Sequence, residues 1–399
     1  MSKSIQKNFF TISILINLGY YISAYFTHTL DIFFEHVTMG QDFFQIPNAA
    51  YAFLHNGALT GALPYDIAPY TECCGVNSNV YHPLFTLIIG IPLQLLSPWT
   101  AFGAWGAFHL LITILTVLFL WKKFVNHKYL YLALSFFLLN SYHYYEIQHA
   151  QYHFLLNFFI VLFLYVILNN KSKVLGGILY FLTLLIKPIG LLWIIPLLIN
   201  RHSKVMIVGI FVYAIISAPF AVLPAGRYFF TNLSSVATTP IASYNLLSIN
   251  NLFSFNLFYI EILTLLVATG LILLNIFKKS NIFISIFLWI SFYLIFYSLV
   301  FHYHYTILAG LICLGLLENI FSPKRFEIIP IIFLTIPTPI IFFHLSGDPA
   351  ILPTTHLSII ALWSIFWLLV LDLCLIFRLF KNQTQKINIP NTLPYESVR

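Results

Sequence analysis

One carboxylate, Asp42, stands in the pentapeptide Gly-Gln-Asp-Phe-Phe at positions 40–44, soon after the first apolar run of the sequence. Its aromatic neighbours and its position near the expected membrane surface partly desolvate the side chain, and desolvation raises the basicity of a carboxylate. Such a group suits a general base that takes a proton from a hydroxyl. Two plainer interpretations stay open: Asp42 caps a helix that begins near Phe43, or it is a solvated loop residue.

The composition of the whole chain is that of a membrane protein. Hydrophobic residues make up 60% of the 399 residues and charged residues only 8%, whereas a soluble domain carries about 25% charged residues. The net charge of +7 comes from small clusters of Lys and Arg between apolar runs. This distribution carries orientation information in membrane proteins and differs from a phosphate-binding stripe, so no nucleic-acid partner is predicted.

Apolar runs of spanning length predict an all-α, polytopic fold with about twelve transmembrane helices. The runs fall near 9–28, 101–121, 129–146, 152–169, 205–225, 258–277, 281–301, 306–321, 327–344 and 357–379. Two regions are ambiguous, because 82–97 is short and 174–200 is interrupted by Lys187 and Pro188. Either 82–97 spans and 174–200 is one helix, or 82–97 stays at the outer surface and 174–200 folds as two short helices that meet at Lys187.

The positive-inside rule selects the second arrangement. It puts nearly all of the 19 Lys and Arg residues, including those at 122–128 and 171–173, on the cytoplasmic side together with both termini. The acidic residues on or near the outer side are Asp31, Glu35, Asp42, Asp66, Glu72, Glu146 and Asp348. Chemistry is therefore expected on the outer face of the membrane.

The predicted organisation is a single transmembrane domain over 1–380 and a disordered cytoplasmic tail over 381–399. Long outer loops cover about 29–100 and 226–257, and the first of them holds short amphipathic juxtamembrane helices such as 43–54. The inner loops are short. This imbalance favours an outward-facing enzyme over a channel or a carrier.

Several short motifs occur in one order along the chain. They are Asp42-Phe43, the small residues Ala49-Ala50-Tyr51-Ala52, Gly57, Pro64-Tyr65-Asp66, Tyr81-His82-Pro83-Leu84, Ala150-Gln151-Tyr152-His153, Lys187-Pro188 and His302-Tyr303-His304-Tyr305. In this order the sequence resembles the GT-C superfamily of glycosyltransferases that use polyprenyl-phosphate sugars, and most of all the alpha-mannosyltransferase family GT87 (DUF2029). Two motifs depart from the family pattern, since Gly-Gln-x-Asn has become Ala-Gln-x-His and His82 replaces a proline.

The resemblance implies a GT-C-like fold and an inverting transfer of a hexose, with mannose the expected sugar. The donor would be a polyprenyl-phosphate sugar presented from the outer leaflet, and the acceptor a glycolipid or a glycan. Asp42 would be the catalytic base. No cofactor and no metal are expected, and the chain would work in the inner or plasma membrane of the cell envelope, among membrane lipids.

Four groups that can carry positive charge would bind the donor phosphate. His302 and His304 lie two residues apart at the outer end of a helix and could share one face of an extended turn. Arg227 is the clearly external arginine, and Lys187 is costly within an apolar run and so points to a function. Plainer roles stay open, namely interfacial contacts for the histidines and Arg227, and for Lys187 capping of carbonyls freed by Pro188.

The sugar or the acceptor would contact Gln151, His153, Glu146, Tyr65 and His82. A metal site stays open as an alternative at Glu146, His149 and His153, because spacings of three and four residues suit metal ligands on a helix. Asp31 and Glu35 are interpreted as a solvated rim.

A second hypothesis, from a different class, is a transporter or flippase of lipid-linked glycans without enzymatic activity. The adjacent Cys73 and Cys74 allow a strained disulfide, whereas Cys313 and Cys374 lie in apolar runs as packing residues.

Overall fold

The computed structural model describes residues 2–27, 43–57, 59, 81–223, 226, 257–278, 281–297, 300, 302–335 and 354–386. Over these residues the chain is helical and contains no strands, as predicted. The α-helices are α1 Lys3–Ile22, α2 Gln45–Asn56, α3 Pro83–Leu93, α4 Pro98–Phe124, α5 Leu130–Leu138, α6 Ser141–His149, α7 His153–Leu168, α8 Lys173–Ile186, α9 Ile194–Ile199, α10 Ser203–Val222, α11 Leu257–Lys278, α12 Ile282–Phe296, α13 Ile307–Leu317, α14 Ile328–Thr335 and α15 Thr354–Lys386.

Four of the described helices are long and apolar enough to cross a membrane: Pro98–Phe124, Ser203–Val222, Phe258–Phe277 and Leu362–Lys381. Six shorter apolar helices accompany them. The middle of the bundle is formed by α7, α12 and α13, and every residue of α13 is buried. In contrast, α10 and α11 expose large apolar side chains such as Phe211 and Leu265, as expected of surfaces that face lipid.

The region 174–200 is a helical hairpin with its break at Lys187, which agrees with the two short helices predicted for this region in the second arrangement. Helix α8 ends at Ile186, Lys187 is extended with φ −152° and ψ 127°, and Pro188 begins a 3-10 helix that leads into α9. A proline has no N–H and disfavours a helical conformation in the residue before it, so the break falls where the sequence predicts it. The two arms of the hairpin begin and end at the same side of the bundle. His202, which follows α9, interacts electrostatically with Lys173 at the start of α8.

Three loops meet at one end of the bundle. His127, in the loop after α4, places its Nε2 atom 3.3 Å from Asn319 Oδ1 in the loop after α13. Asn169, which follows α7, donates from Nδ2 to Glu318 Oε1 at 3.4 Å. Burial lowers the pKa of His127 and of His202, so both loop imidazoles favour the neutral form.

Basic side chains concentrate at this same end. Lys7 places its Nζ atom over the ring of Tyr131, and Arg378 donates to the carbonyl of Ile320 and lies 3.5 Å from Glu327 Oε1. We call the loops 125–129, 169–172, 200–202 and 318–327 the basic end. The structure thus groups the loops that the positive-inside rule assigns to the cytoplasm.

Helix α3 lies within the region that was predicted to stay at the outer surface. Its 11 residues extend about 16 Å, roughly half the thickness of a hydrocarbon core. It packs closely on α2, because a Cβ atom at Gly90 would lie 2.6 Å from the carbonyl oxygen of Ile46. A helix of this length is too short to cross by itself, and the outer-surface location of 82–97 stays a prediction.

Two predicted features differ in detail from the structure. The run 129–146 is divided into α5 and α6, since Asn140 leaves the helical conformation and its side chain accepts from the N–H of Tyr142. The histidines at 302 and 304 lie in the 3-10 helix His302–Thr306 and not in an extended turn. A 3-10 helix rotates by about 120° per residue, so the two positions fall on different faces and the prediction of a shared face is wrong.

Candidate active site

The turn between α6 and α7 is fixed by its backbone. Ala150 adopts φ 52° and ψ 43°, a left-handed conformation that glycine adopts more readily than alanine, and this explains why the resembling family has glycine at this position. The indole N–H of Trp105 donates to the carbonyl of Ala150 at 2.8 Å. The N–H of Gln151 donates to the carbonyl of Glu146 at 3.0 Å, and Gln151 itself is buried. The turn therefore sets the direction in which α7 begins.

Glu146 faces the interior of the protein. Its Oε1 atom accepts from the backbone N–H of Phe154, and its Oε2 atom lies 3.9 Å from His143 Nδ1. Its exposed fraction is 0%. Glu146 thus fixes the start of α7 through the backbone N–H of Phe154, and its predicted contact with the sugar stays a prediction.

The predicted residues His153, Lys187 and His304 come together. Lys187 Nζ lies 3.2 Å from His153 Nε2, and the rings of His153 and His304 meet edge to face at 4.6 Å. Two tyrosines complete the cluster, because Lys187 lies over the ring of Tyr293 and the ring of Tyr303 lies 4.8 Å from that of His304. We call these five residues the 153–187–304 cluster.

The cluster lies at the end of the bundle opposite the basic end. His153 begins α7, Lys187 follows α8, and His304 precedes α13. The opposite end of each of these three helices leads into a loop of the basic end. Fourteen residues of α8 separate the two levels by about 21 Å. The cluster is thus a group of cation-capable side chains far from the other lysines and arginines that the structure describes.

The hydrogen bond between Lys187 and His153 determines which nitrogen of His153 carries a proton. An ammonium group has only N–H bonds to donate, so Nε2 of His153 accepts and the proton resides on Nδ1. Within the described residues, Nδ1 of His153 has no hydrogen-bond partner. A buried donor without an acceptor is costly, and an anionic or hydroxyl-bearing ligand would relieve that cost.

His82 lies apart from the cluster but is connected with it. Its Nε2 atom lies 2.9 Å from the hydroxyl of Ser217 in α10, and its side chain caps α3 by accepting from the N–H of Leu84. The preceding residue, Tyr81, packs edge-on against Tyr152 at 4.6 Å. The replacement of a family proline by His82 therefore creates a polar link between α3 and α10.

Several predicted residues lie outside the described part of the chain. They are Asp42, Tyr65 and Arg227, the predicted rim residues Asp31 and Glu35, the cysteines Cys73 and Cys74, and the side chain of His302. Their roles stay predictions.

The residues after Asp42 show where the chain enters the bundle. Phe43 is buried and its ring lies 5.7 Å from that of Trp105, whose indole holds the carbonyl of Ala150. The predicted helix near Phe43 is α2, which begins at Gln45 with Phe44 at the N-cap position. The position expected of a capping residue is thus occupied by Phe44.

Two histidines behind the turn were not singled out from the sequence. His109 in α4 and His143 in α6 form a group with Glu146, all buried, whose potential ligand atoms lie within 4.8 Å of one another. The spacing of His143 and Glu146 by three residues was a usable signal. His109 stands alone in an apolar run, and only the fold brings it to the other two.

The family model of glycosyltransferase family 87 (GT87) matches residues 79–321 of the chain. The matched segment covers more than half of the chain and contains the turn at 150–153, the hairpin at Lys187 and the 3-10 helix at 302–306. The chain belongs to glycosyltransferase family 87, as the resemblance predicted, and is accordingly a glycosyltransferase with membrane-type apolar helices. Asp42 and Tyr65 precede the matched segment. A comparison with curated proteins gives no match.

Proposed function

We propose that the chain transfers a hexose, with mannose the favoured sugar, from a polyprenyl phosphate to a glycolipid or glycan acceptor on the outer face of the membrane. The reaction inverts the anomeric centre, and Asp42 takes the proton of the acceptor hydroxyl. The observation that carries this proposal is the 153–187–304 cluster, which gathers a lysine and two histidines within the family segment at the end opposite the basic loops.

The cluster suits a lipid phosphate as leaving group. When the anomeric carbon is attacked, the departing phosphate keeps its negative charge and needs positive charge or hydrogen-bond donors, not a proton. Lys187 is only half-buried and supplies the ammonium group, and His153 supplies the Nδ1–H that lacks a partner among the described residues. His304, with His302 and Arg227, completes the phosphate site in this proposal.

The general base must lie on the side of the sugar opposite the phosphate. Phe43, the chain neighbour of Asp42, packs beside Trp105 and thus beside the turn from which His153 begins α7. This arrangement supports Asp42 as the carboxylate that reaches the acceptor hydroxyl. Gln151, His82 and Tyr65 are proposed to contact the sugar or the acceptor.

The proposal is tested by incubating the purified full-length chain in detergent with radiolabelled polyprenyl-phosphate mannose and a glycolipid extract. A transferase releases polyprenyl phosphate and labels the acceptor without any membrane gradient. Asp42→Asn should abolish most of the transfer, while Asp348→Asn, a second outer carboxylate outside the family motifs, should retain it. If the wild-type chain leaves the donor intact but moves it between the leaflets of vesicles, the chain is a flippase and the proposal fails.

A further inference from the structure

A group of metal-ligating side chains lies behind the turn at 150–153 and is not used by the proposed reaction. His143 and Glu146 are three residues apart on α6 and so lie on the same side of that helix. His109 reaches them from α4, and the rings of His109 and His143 meet edge to face at 4.9 Å. The exposed fractions of His109, His143 and Glu146 are 0%, 5% and 0%.

The polar atoms of this group have few partners among the described residues. Neither ring nitrogen of His109 has a hydrogen-bond partner, and the same holds for Nε2 of His143 and Oε2 of Glu146. The 3.9 Å between His143 Nδ1 and Glu146 Oε2 is too long for a hydrogen bond. Orphaned polar atoms in a protein interior are rare and costly, so a concentration of them indicates a ligand.

The donor set fits a transition metal. Two imidazole nitrogens and one carboxylate oxygen are the His2Glu combination of several zinc sites, whereas magnesium and calcium prefer oxygen ligands alone. One potential ligand atom from each residue lies within 4.8 Å of the others. Ligands of a tetrahedral zinc ion lie about 3.4 Å apart, so small side-chain rotations would complete the geometry.

The surroundings of the three side chains fix Glu146 and His109 in place and leave room for a small additional ligand. The other carboxylate oxygen of Glu146 is fixed by the N–H of Phe154, and the ring of Phe154 stacks on His109 at 4.0 Å. A cavity of about 10 Å³ adjoins His143, and its lining combines polar side chains such as Asn157 and Thr306 with apolar ones such as Phe137. This volume is about that needed for one water molecule beside His143. A zinc ion bound by three side chains completes its four-coordinate geometry with a water molecule.

We propose that His109, His143 and Glu146 bind one zinc ion together with this water molecule. The ion joins α4 to α6 and thereby fixes the turn that positions His153. Glu146 then serves as a metal ligand and does not contact the sugar. The inference does not rest on the proposed function, because bound metal is measured without any substrate.

The test measures zinc in the full-length chain, purified in detergent without chelators, by plasma mass spectrometry. About one zinc ion per chain is expected. Glu146→Gln preserves the size of the side chain and the acceptor for Phe154, and it should weaken zinc binding by at least about tenfold. His109→Ala and His143→Ala should also lose the metal, while His127→Ala, a histidine of the basic end, should keep it.

The unfolding temperature of the wild-type chain, measured after removal and after re-addition of zinc, tests the site without any variant. A chelator should lower the unfolding temperature of the wild-type chain by several degrees, and zinc alone should restore it. A wild-type chain that holds no stoichiometric zinc and whose unfolding temperature responds to neither addition refutes the site. Full zinc content in Glu146→Gln and in both alanine variants refutes it as well, because the metal would then be adventitious or bound elsewhere.

Discussion

Replacing Lys187 by Met removes one positive charge from the 153–187–304 cluster and keeps most of the side-chain volume. In the structure, Lys187 Nζ lies 3.2 Å from His153 Nε2 and over the ring of Tyr293. Helix α8 has already ended at Ile186, and Lys187 has an extended backbone, so no helix hydrogen bond depends on this side chain. The substitution therefore tests the charge with little change in the backbone.

Two effects are expected. A hydrogen bond to a charged group contributes about 1.5–3 kcal/mol, and about 1.4 kcal/mol corresponds to a factor of ten, so use of the donor should weaken about ten- to a hundred-fold. The loss of its partner also leaves His153 Nε2 without a donor, which costs about 1–3 kcal/mol of folding stability. Both the unfolding temperature and the apparent affinity for the donor should therefore fall.

The assay compares transfer rates over a range of donor concentrations at fixed acceptor, together with unfolding temperatures in detergent. The matched control is Lys173→Met, since Lys173 begins the same helix at the basic end and is exposed. Its donor saturation should match that of the wild-type chain. If Lys187→Met lowers the unfolding temperature but keeps normal donor saturation, Lys187 only supports the broken helix and the phosphate site is misplaced.

Three further outcomes are expected. Asp42→Asn keeps the size and hydrogen bonding of the side chain, but the amide cannot take a proton. Turnover should therefore fall about 10²–10⁴-fold while donor binding is retained. Near-normal turnover would reject Asp42 as the base. Cysteines introduced at Asn126 and Asn170 should resist an impermeant reagent added from outside, and labelling of either would reverse the proposed orientation. Gly209→Ala would place a Cβ atom 2.4 Å from a ring carbon and 2.9 Å from a backbone oxygen of α8, so about 1–3 kcal/mol of stability should be lost. Gly270→Ala, with nothing within 4 Å, should lose none, and equal unfolding temperatures for the two variants would contradict this packing.

The hairpin at Lys187 could be predicted because local chemistry determines it. A lysine followed by a proline within an apolar run combines a costly charge with a residue that ends helices. The common end of the basic loops could also be predicted, because the distribution of Lys and Arg reflects membrane orientation without reference to packing. The structure agrees with both features at Lys173, His202 and the loop around His127.

Other features depended on contacts between distant parts of the chain. The break at Asn140 is weak in the sequence, since the apolar run continues on its N-terminal side and a single asparagine is compatible with a helix. The group around Glu146 needs His109 from 37 positions earlier, and no periodicity relates the two residues. The direction of Glu146 was also not predictable, because it follows from the N–H of Phe154, which the turn at 150–153 orients towards the carboxylate.

The turn at 150–153 lies between two groups of polar side chains, the 153–187–304 cluster and the buried group around Glu146. On one side, His153 contacts Lys187 and His304, which lie at the ends of other helices and include a half-buried ammonium group. On the other side, Phe154 contacts Glu146 and His109 in the interior of the bundle. His153 and Phe154 are adjacent at the first turn of α7, so the interior contacts of Phe154 help to position the side chain of His153. A rigid interior would therefore benefit the proposed phosphate site directly, since a displacement of about 1 Å can cost a hundred-fold in rate.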